Sequence, residues 1–338
     1  SGATSITIGA SNGTGVLDIG APVDLAAKTV TLNSGQINES GDAISAGSLT
    51  LNLASSTGAN AVKTTVDSLT ANTTGGTDAV NKGISVDETN ALTLNTINAG
   101  TGAVDIDADD NAITFTANTI TSGDLTLTGS TLTDLDLATL ATSGALVAKP
   151  KVTSSTIGLG DTSTGTFNLV NNEIAKVKSS GATSITIGAS NGTGVLDMGS
   201  DIDLATKSLT INSGRINEAV DTLTAGSLAL NLRSSTGSNA LKTNINTLTV
   251  DTSNGTAALD KSININELDS INLGAVNTGT GNFLITSGGD ITQTGVMTVA
   301  ALNITNASGA TTLTQNNAVS NLGAVDSTGG NFTLNNKQ

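Results

Sequence analysis

The sequence predicts an all-β chain, a right-handed parallel β-helix (β-solenoid) built as a single continuous rod of ~15 coils. Three observations predict it: aliphatic residues alternate with Thr, Ser and Asn in short runs, the runs recur every ~20 to 25 residues, and a long block of sequence returns almost unchanged. Alternation has a period of two, the signature of a strand with one buried face. Ile6 with Ile8, Val30 with Leu32, Leu49 with Leu51 and Leu53, Leu92 with Leu94, and Ile113 with Phe115 all follow it. Clusters such as ASNGTG from Ala10 and NTTGGT from Asn72 separate the runs and carry the residues that turns require. No long 3.6-residue pattern interrupts them.

The long repeat has an offset of about 179 residues. Ser1 to Asp18 reappears without change as Ser180 to Asp197. DLAAKTVTLNSGQINES from Asp24 then answers DLATKSLTINSGRINEA from Asp203, and AGSLTLNLASSTGANAVKT from Ala46 answers AGSLALNLRSSTGSNALKT from Ala225. Similarity runs on, so residues 1–106 match residues 180–285. One domain covering 1–338 is expected, and stacking at ~4.8 Å per coil gives it a length of roughly 70 Å. Pro150, inside the KPK segment Lys149 to Lys151, stands where the first long repeat gives way to the next. It is read as a loop on the outside of a coil.

Composition narrows the function. The 338 residues include four Phe, no Trp, no Tyr and no Cys, with 39 Gly and a hydrophobic fraction of 37%. Such a chain folds by repeating small aliphatic units and not by burying rings. A formal charge of −15, with only 13 basic residues, leaves no Lys or Arg footprint for nucleic acid or an anionic bilayer. Absence of Cys suits a secreted bacterial chain and excludes thiolate metal sites. No apolar run approaches the ~18 residues that span a bilayer. Ser1 falls within a repeat, so the sequence reads as a segment of something longer.

Zero His and zero Cys exclude the ordinary catalytic triads, imidazole bases and nitrogen or sulfur metal sites. Two carboxylates could serve a hydrolase. Yet the only arginines are Arg215 and Arg233, and no Tyr or Trp stacks on sugar, so no enzyme and no cofactor are expected. Asp105, Asp107, Asp109 and Asp110, in VDIDADDN, are hard oxygen ligands of the kind calcium takes. Alternation turns Asp105 and Asp107 to one side of a strand. Their counterparts in the second copy are Leu284, Thr286, Gly288 and Gly289, so the group is read as a solvated acidic turn with no metal. Alternating Thr, as in LTLTGSTLT from Leu125, raises an ice-binding face, but LNL and VDI interrupt that series, and Thr is a good strand residue in any case. Asn33 and its copy Asn212, in the matched NSG, are expected inside the coils as stacked amide ladders.

The stretch IGLGDTSTGTFNLVNNEIAKV from Ile157, followed by SITIGASNGTGVLDMG, IDLATKSLTINSGRIN and LTAGSLALNL, resembles repeats of large bacterial exoproteins of the filamentous haemagglutinin type. NLGAV with GNF and SGGDITQTG, between Asn272 and Gly295, is similar too. The resemblance implies a right-handed parallel β-helix, export by a two-partner system through an outer-membrane transporter, an extracellular or cell-surface location, and an adhesive or biofilm role. Host surfaces, neighbouring cells or glycans are the implied contacts. Alternative readings are a carbohydrate-active β-helix of the tail-spike or lyase type, and a trimeric autotransporter head, whose short repeats SITIG resembles.

Overall fold

The computed structural model describes residues 2–39, 41–76, 82–217, 220–255 and 260–337. Ser40, Glu218 and Ala219, at the ends of matched repeat segments, and Thr77, which closes NTTGGT, lie outside the described residues. The chain is all-β, with parallel strands stacked as a β-solenoid of about 16 turns and 4% helix. It divides into two compact units, Ser1–Val152 with Ser179–Ile185, and Thr153–Lys178 with Thr186–Gln338.

In the first unit, alternation becomes columns. Ile6, Val30, Leu49, Leu69, Leu94 and Phe115 lie opposite one another in successive parallel strands. Leu32, Leu51, Ala71, Ile97, Ile120 and Leu140 form a second column, which starts two residues beyond the first at Leu32, Leu51 and Ala71. All but Ile6 are buried. Each of these coils adds one apolar side chain to each column, worth roughly 1.5–3 kcal/mol for a fully buried Leu, Ile or Val. Stacked partners are 19 residues apart between Asn33 and Asn52 and 25 between Leu69 and Leu94.

The second unit repeats the scheme. Leu209, Leu228, Leu248, Leu273 and Gln293 make one column, and Ile211, Leu230, Val250, Val276 and Met297 the other. A β-bulge is copied with the sequence. Leu69 and Ala71 face Leu94 and Ile97, so the strand Leu92–Asn98 carries one extra residue there. Leu248 and Val250 face Leu273 and Val276 in the same way.

Rings are rare but not excluded from the interior. Phe115, Phe167 and Phe283 are fully buried, and Phe283 sits in line with Ile263 and Leu302. A coil can therefore take a ring where its neighbours in the column are aliphatic.

Pro150 departs from expectation. It is not an outside loop but the buried last residue of the strand Ala145–Pro150, opposite Gly129. A strand end tolerates Pro because the missing donor falls where pairing stops. The next amide takes over, Lys151 N donating to the Gly129 carbonyl at 3.4 Å.

The second unit also holds a nine-residue α-helix, Asn171–Ser179, within the segment quoted for the family resemblance. Glu173 caps it, its Oε2 accepting from Val170 N at 2.9 Å, while Asn171 N donates to Asp161 Oδ1 at 2.9 Å. Ile174 and Val177 are buried, and Lys178 pairs with Asp203 at 2.6 Å.

Candidate functional site

Asn33 and Asn212 do form ladders, but on the parity opposite the aliphatic columns, where Asn33 is half-buried and Asn212 buried. In Thr29–Ser34 the buried residues are Val30, Leu32 and Ser34, which leaves Asn33 on the opposite parity. Asn33, Asn52, Asn72 and Asn98 align in four consecutive coils. In the second unit Asn212, Asn231, Asp251 and Asn277 align likewise. Asn52 Nδ2 donates to Asn33 Oδ1 at 2.9 Å, and Asn231 Nδ2 to Asn212 Oδ1 at 2.9 Å.

Further along each column the side chain turns back on its own backbone. Asn72 Oδ1 accepts from Thr74 N at 2.9 Å, Asn98 Oδ1 from Gly100 N at 3.1 Å, and Asp251 Oδ1 from Ser253 N at 2.8 Å. The column sits where strand becomes corner, and its chemistry is that of an Asx turn. Asn33, Asn52 and Asn72, with Ser11, Asn12 and Thr14, line a shallow cleft of about 440 Å³ on the first unit.

Hydroxyl columns stand beside these amides. Ser5, Thr29, Ser48, Ser68, Thr93, Thr114 and Thr133 align, as do Thr7, Thr31, Thr50 and Thr70. The interruptions expected from LNL and VDI fall elsewhere. Asn52 belongs to the amide column, and Asp105 lies in a separate column with Ser85 and Thr126. Neighbouring hydroxyl columns therefore run unbroken over four coils of the first unit, from Ser5 and Thr7 to Ser68 and Thr70.

The acidic group at 105–110 is organised by a cation from a distant part of the sequence. Asp105 and Asp107 point outward from the strand Val104–Asp107, between buried Val104 and Ile106. Lys151 Nζ lies 2.7 Å from Asp107 Oδ2 and 3.0 Å from Asp109 Oδ1. Its ammonium is held above its ordinary pKa chiefly by the hydrogen bond to Asp107. Asp109 N also donates to Asp107 Oδ1 at 2.9 Å, with Asp109 at φ +50 in the turn and Asp110 exposed. Two of the four carboxylates are thus engaged by one ammonium. Among the described residues no group of three or more acidic side chains converges as a metal site would need.

Sequence reasoning overlooked the buried carboxylates Glu88 and Glu267, which occupy equivalent places in the two long repeats. Glu88 Oε2 accepts from Val66 N at 3.0 Å and its Oε1 from Thr89 N at 2.8 Å. Glu267 Oε2 accepts from Thr243 Oγ1 at 2.7 Å and its Oε1 from Leu268 N at 3.0 Å. Burial raises the pKa of both, that of Glu267 to about 7, and the donors oppose the rise. A signal was present: in ISVDE and ININE the Glu keeps step with the apolar residues and so shares their inward parity.

No protein-family model matches the chain, and the searches of curated proteins and of solved structures return no match either.

Proposed function

We propose that this chain is a non-catalytic structural or adhesive shaft segment of a giant secreted bacterial surface protein of the filamentous haemagglutinin type. In this reading it acts as a stiff spacer for attachment or biofilm formation. The observation that carries the proposal is the repetition of whole columns: the inward aliphatics, the bulge and the amide ladder all recur in the second long repeat. A spacer needs this property, because adding a repeat adds length without a new design. Export through an outer-membrane partner, an extracellular location and contact with host or neighbouring cells belong to the same proposal, on the strength of the resemblance at residues 157–232.

Chains carrying one, two and three copies of the 179-residue repeat test it. Maximum dimension measured by scattering should grow in proportion to copy number. A dimension that stays constant contradicts the spacer, as does cleavage of a polysaccharide, which favours the tail-spike or lyase alternative. A trimer in sedimentation favours the autotransporter head.

A second reading rests on the hydroxyl columns. Residues two apart on a strand are ~6.7 Å apart and coils ~4.8 Å apart, so Ser5/Thr7, Thr29/Thr31, Ser48/Thr50 and Ser68/Thr70 form a near-rectangular array able to order water. Ice binding predicts a gap between melting and freezing points in the presence of the chain. No gap at millimolar protein excludes it.

A further inference from the structure

Both arginines of the chain belong to one corner of the second unit, where the first long repeat carries neutral residues. Arg215 takes the place of Gln36 and Arg233 that of Ala54, while Ser238 replaces Ala59 in the turn that follows. Arg233 N donates to the carbonyls of Ser213 and Gly214 at 3.2 and 3.1 Å, which sets it one coil on from the residues that lead into Arg215.

The two copies of this corner differ in how their polar groups are satisfied. In the first unit Gln36 Nε2 donates to Ser56 Oγ at 3.1 Å, so side chain meets side chain. In the second, Arg215 is exposed and its guanidinium has no hydrogen bond or ion pair among the described residues. Ser235, the counterpart of Ser56, is only 6% exposed. Its Oγ accepts from Gly237 N at 3.2 Å, and its own proton has no acceptor among the described residues.

Arg215, Ser234, Ser235, Gly237, Ser238 and Asp260 line an open cleft of about 390 Å³. Ser234 Oγ is committed to the Gly214 carbonyl at 3.2 Å, and Asp260 Oδ1 to Ser262 N at 2.9 Å. What remains is a guanidinium fork with the hydroxyls of Ser235 and Ser238 as donors, and Asp260 Oδ2 as an acceptor. A ligand that suits this wall carries one carboxylate for the fork and hydroxyl protons for the aspartate. Sulfate and phosphate supply no such protons and meet repulsion from Asp260. The described lining has no apolar side chain on which a peptide side chain could pack, and no ring, so affinity rests on polar contacts.

We propose that this cleft binds a sugar acid, one uronate unit of a glycan. The carboxylate pairs with both arms of the Arg215 fork, and ring hydroxyls donate to Asp260 Oδ2 and accept from Ser238. This inference stands whether or not the chain is a surface spacer.

The test uses the complete 338-residue chain and methyl β-D-glucuronide. Because Arg215 and Arg233 are the only arginines, the side-chain Nε–Hε spectrum reports directly on the site. The glucuronide should shift the Arg215 signal saturably, and methyl β-D-glucoside should leave it in place. Variants are read by saturation transfer to the ligand. Arg215→Gln installs the residue of the first copy, so it should keep the melting temperature and abolish binding. Arg215→Lys retains the charge without the fork and should weaken binding by about tenfold. Asp260→Ala should weaken the glucuronide by a similar factor while leaving acetate binding unchanged or tighter. An unmoved Arg215 signal overturns the proposal, as does glucuronide binding that survives Arg215→Gln. Acetate or inorganic sulfate bound as tightly as the glucuronide shows a simple anion site and overturns it too.

Discussion

Glu267 accepts a hydrogen bond from Thr243 at 2.7 Å across two successive coils, with both side chains buried. Val250, Leu248 and Ile245 belong to the same strand as Thr243, so a carboxyl group ends what is otherwise an aliphatic interior. The desolvation it suffers exceeds the help it receives from Thr243 and from the amides of Ile245 and Asp269.

The pH dependence of stability follows from that imbalance. The pKa of Glu267 rises from 4.5 to about 7 in the folded chain, so between those values the folded state holds a proton that the unfolded state has released. Stability from this group is complete below pH 4.5, falls as pH rises, and is lost above about pH 7. The full swing is on the order of 3 kcal/mol, and Glu88 adds to it in the same direction. Urea midpoints should be higher at pH 5 than at pH 8, and Glu267→Gln should flatten the difference. A midpoint that climbs steadily from pH 5 to pH 8 contradicts this account.

Column positions should be equivalent in the two long repeats. Leu69 and Leu248 are both fully buried, and each lies next to the copied bulge. Leu69→Ala and Leu248→Ala should each cost about 2–5 kcal/mol in denaturant unfolding through lost transfer energy and the residual cavity. A cost below 1 kcal/mol at either place is incompatible with a tightly stacked column.

Lys151 is 40% exposed in its side chain and Asp107 29%, which keeps their ion pair close to solvent. Lys151→Met should lower stability by no more than about 1 kcal/mol, with the loss shrinking at high salt. Because one ammonium already engages both Asp107 and Asp109, a chelator should leave the melting temperature of the native chain unchanged. A large drop with chelator reinstates calcium at Asp105, Asp107, Asp109 and Asp110.

The fold was legible because alternation and copying are properties of the sequence itself. Val30, Leu49 and Leu69 announce their own parity, and coil stacking then needs no partner outside the pattern. Parity misled at Asn33, where a polar residue in an apolar run was given an inward place although Leu32 and Ser34 already occupied that face. Glu88 shows the converse, since its inward parity could be read from ISVDE while its charge argued for the surface. Lys151 was hidden for another reason. It reaches Asp107 across 44 residues, and such a contact depends on how two coils align and not on any local motif. The helix Asn171–Ser179 was missed because a nine-residue segment carries little more than two turns of period. Its Glu173 cap is a short-range signal easily lost among Ser and Asn turns.

Small-angle scattering on the isolated 338-residue chain tests the spacer most directly. The proposed spacer predicts an elongated scattering profile, because each stacked coil adds ~4.8 Å to its length. A compact, near-spherical profile of the same mass contradicts the proposal that stacked coils serve for reach.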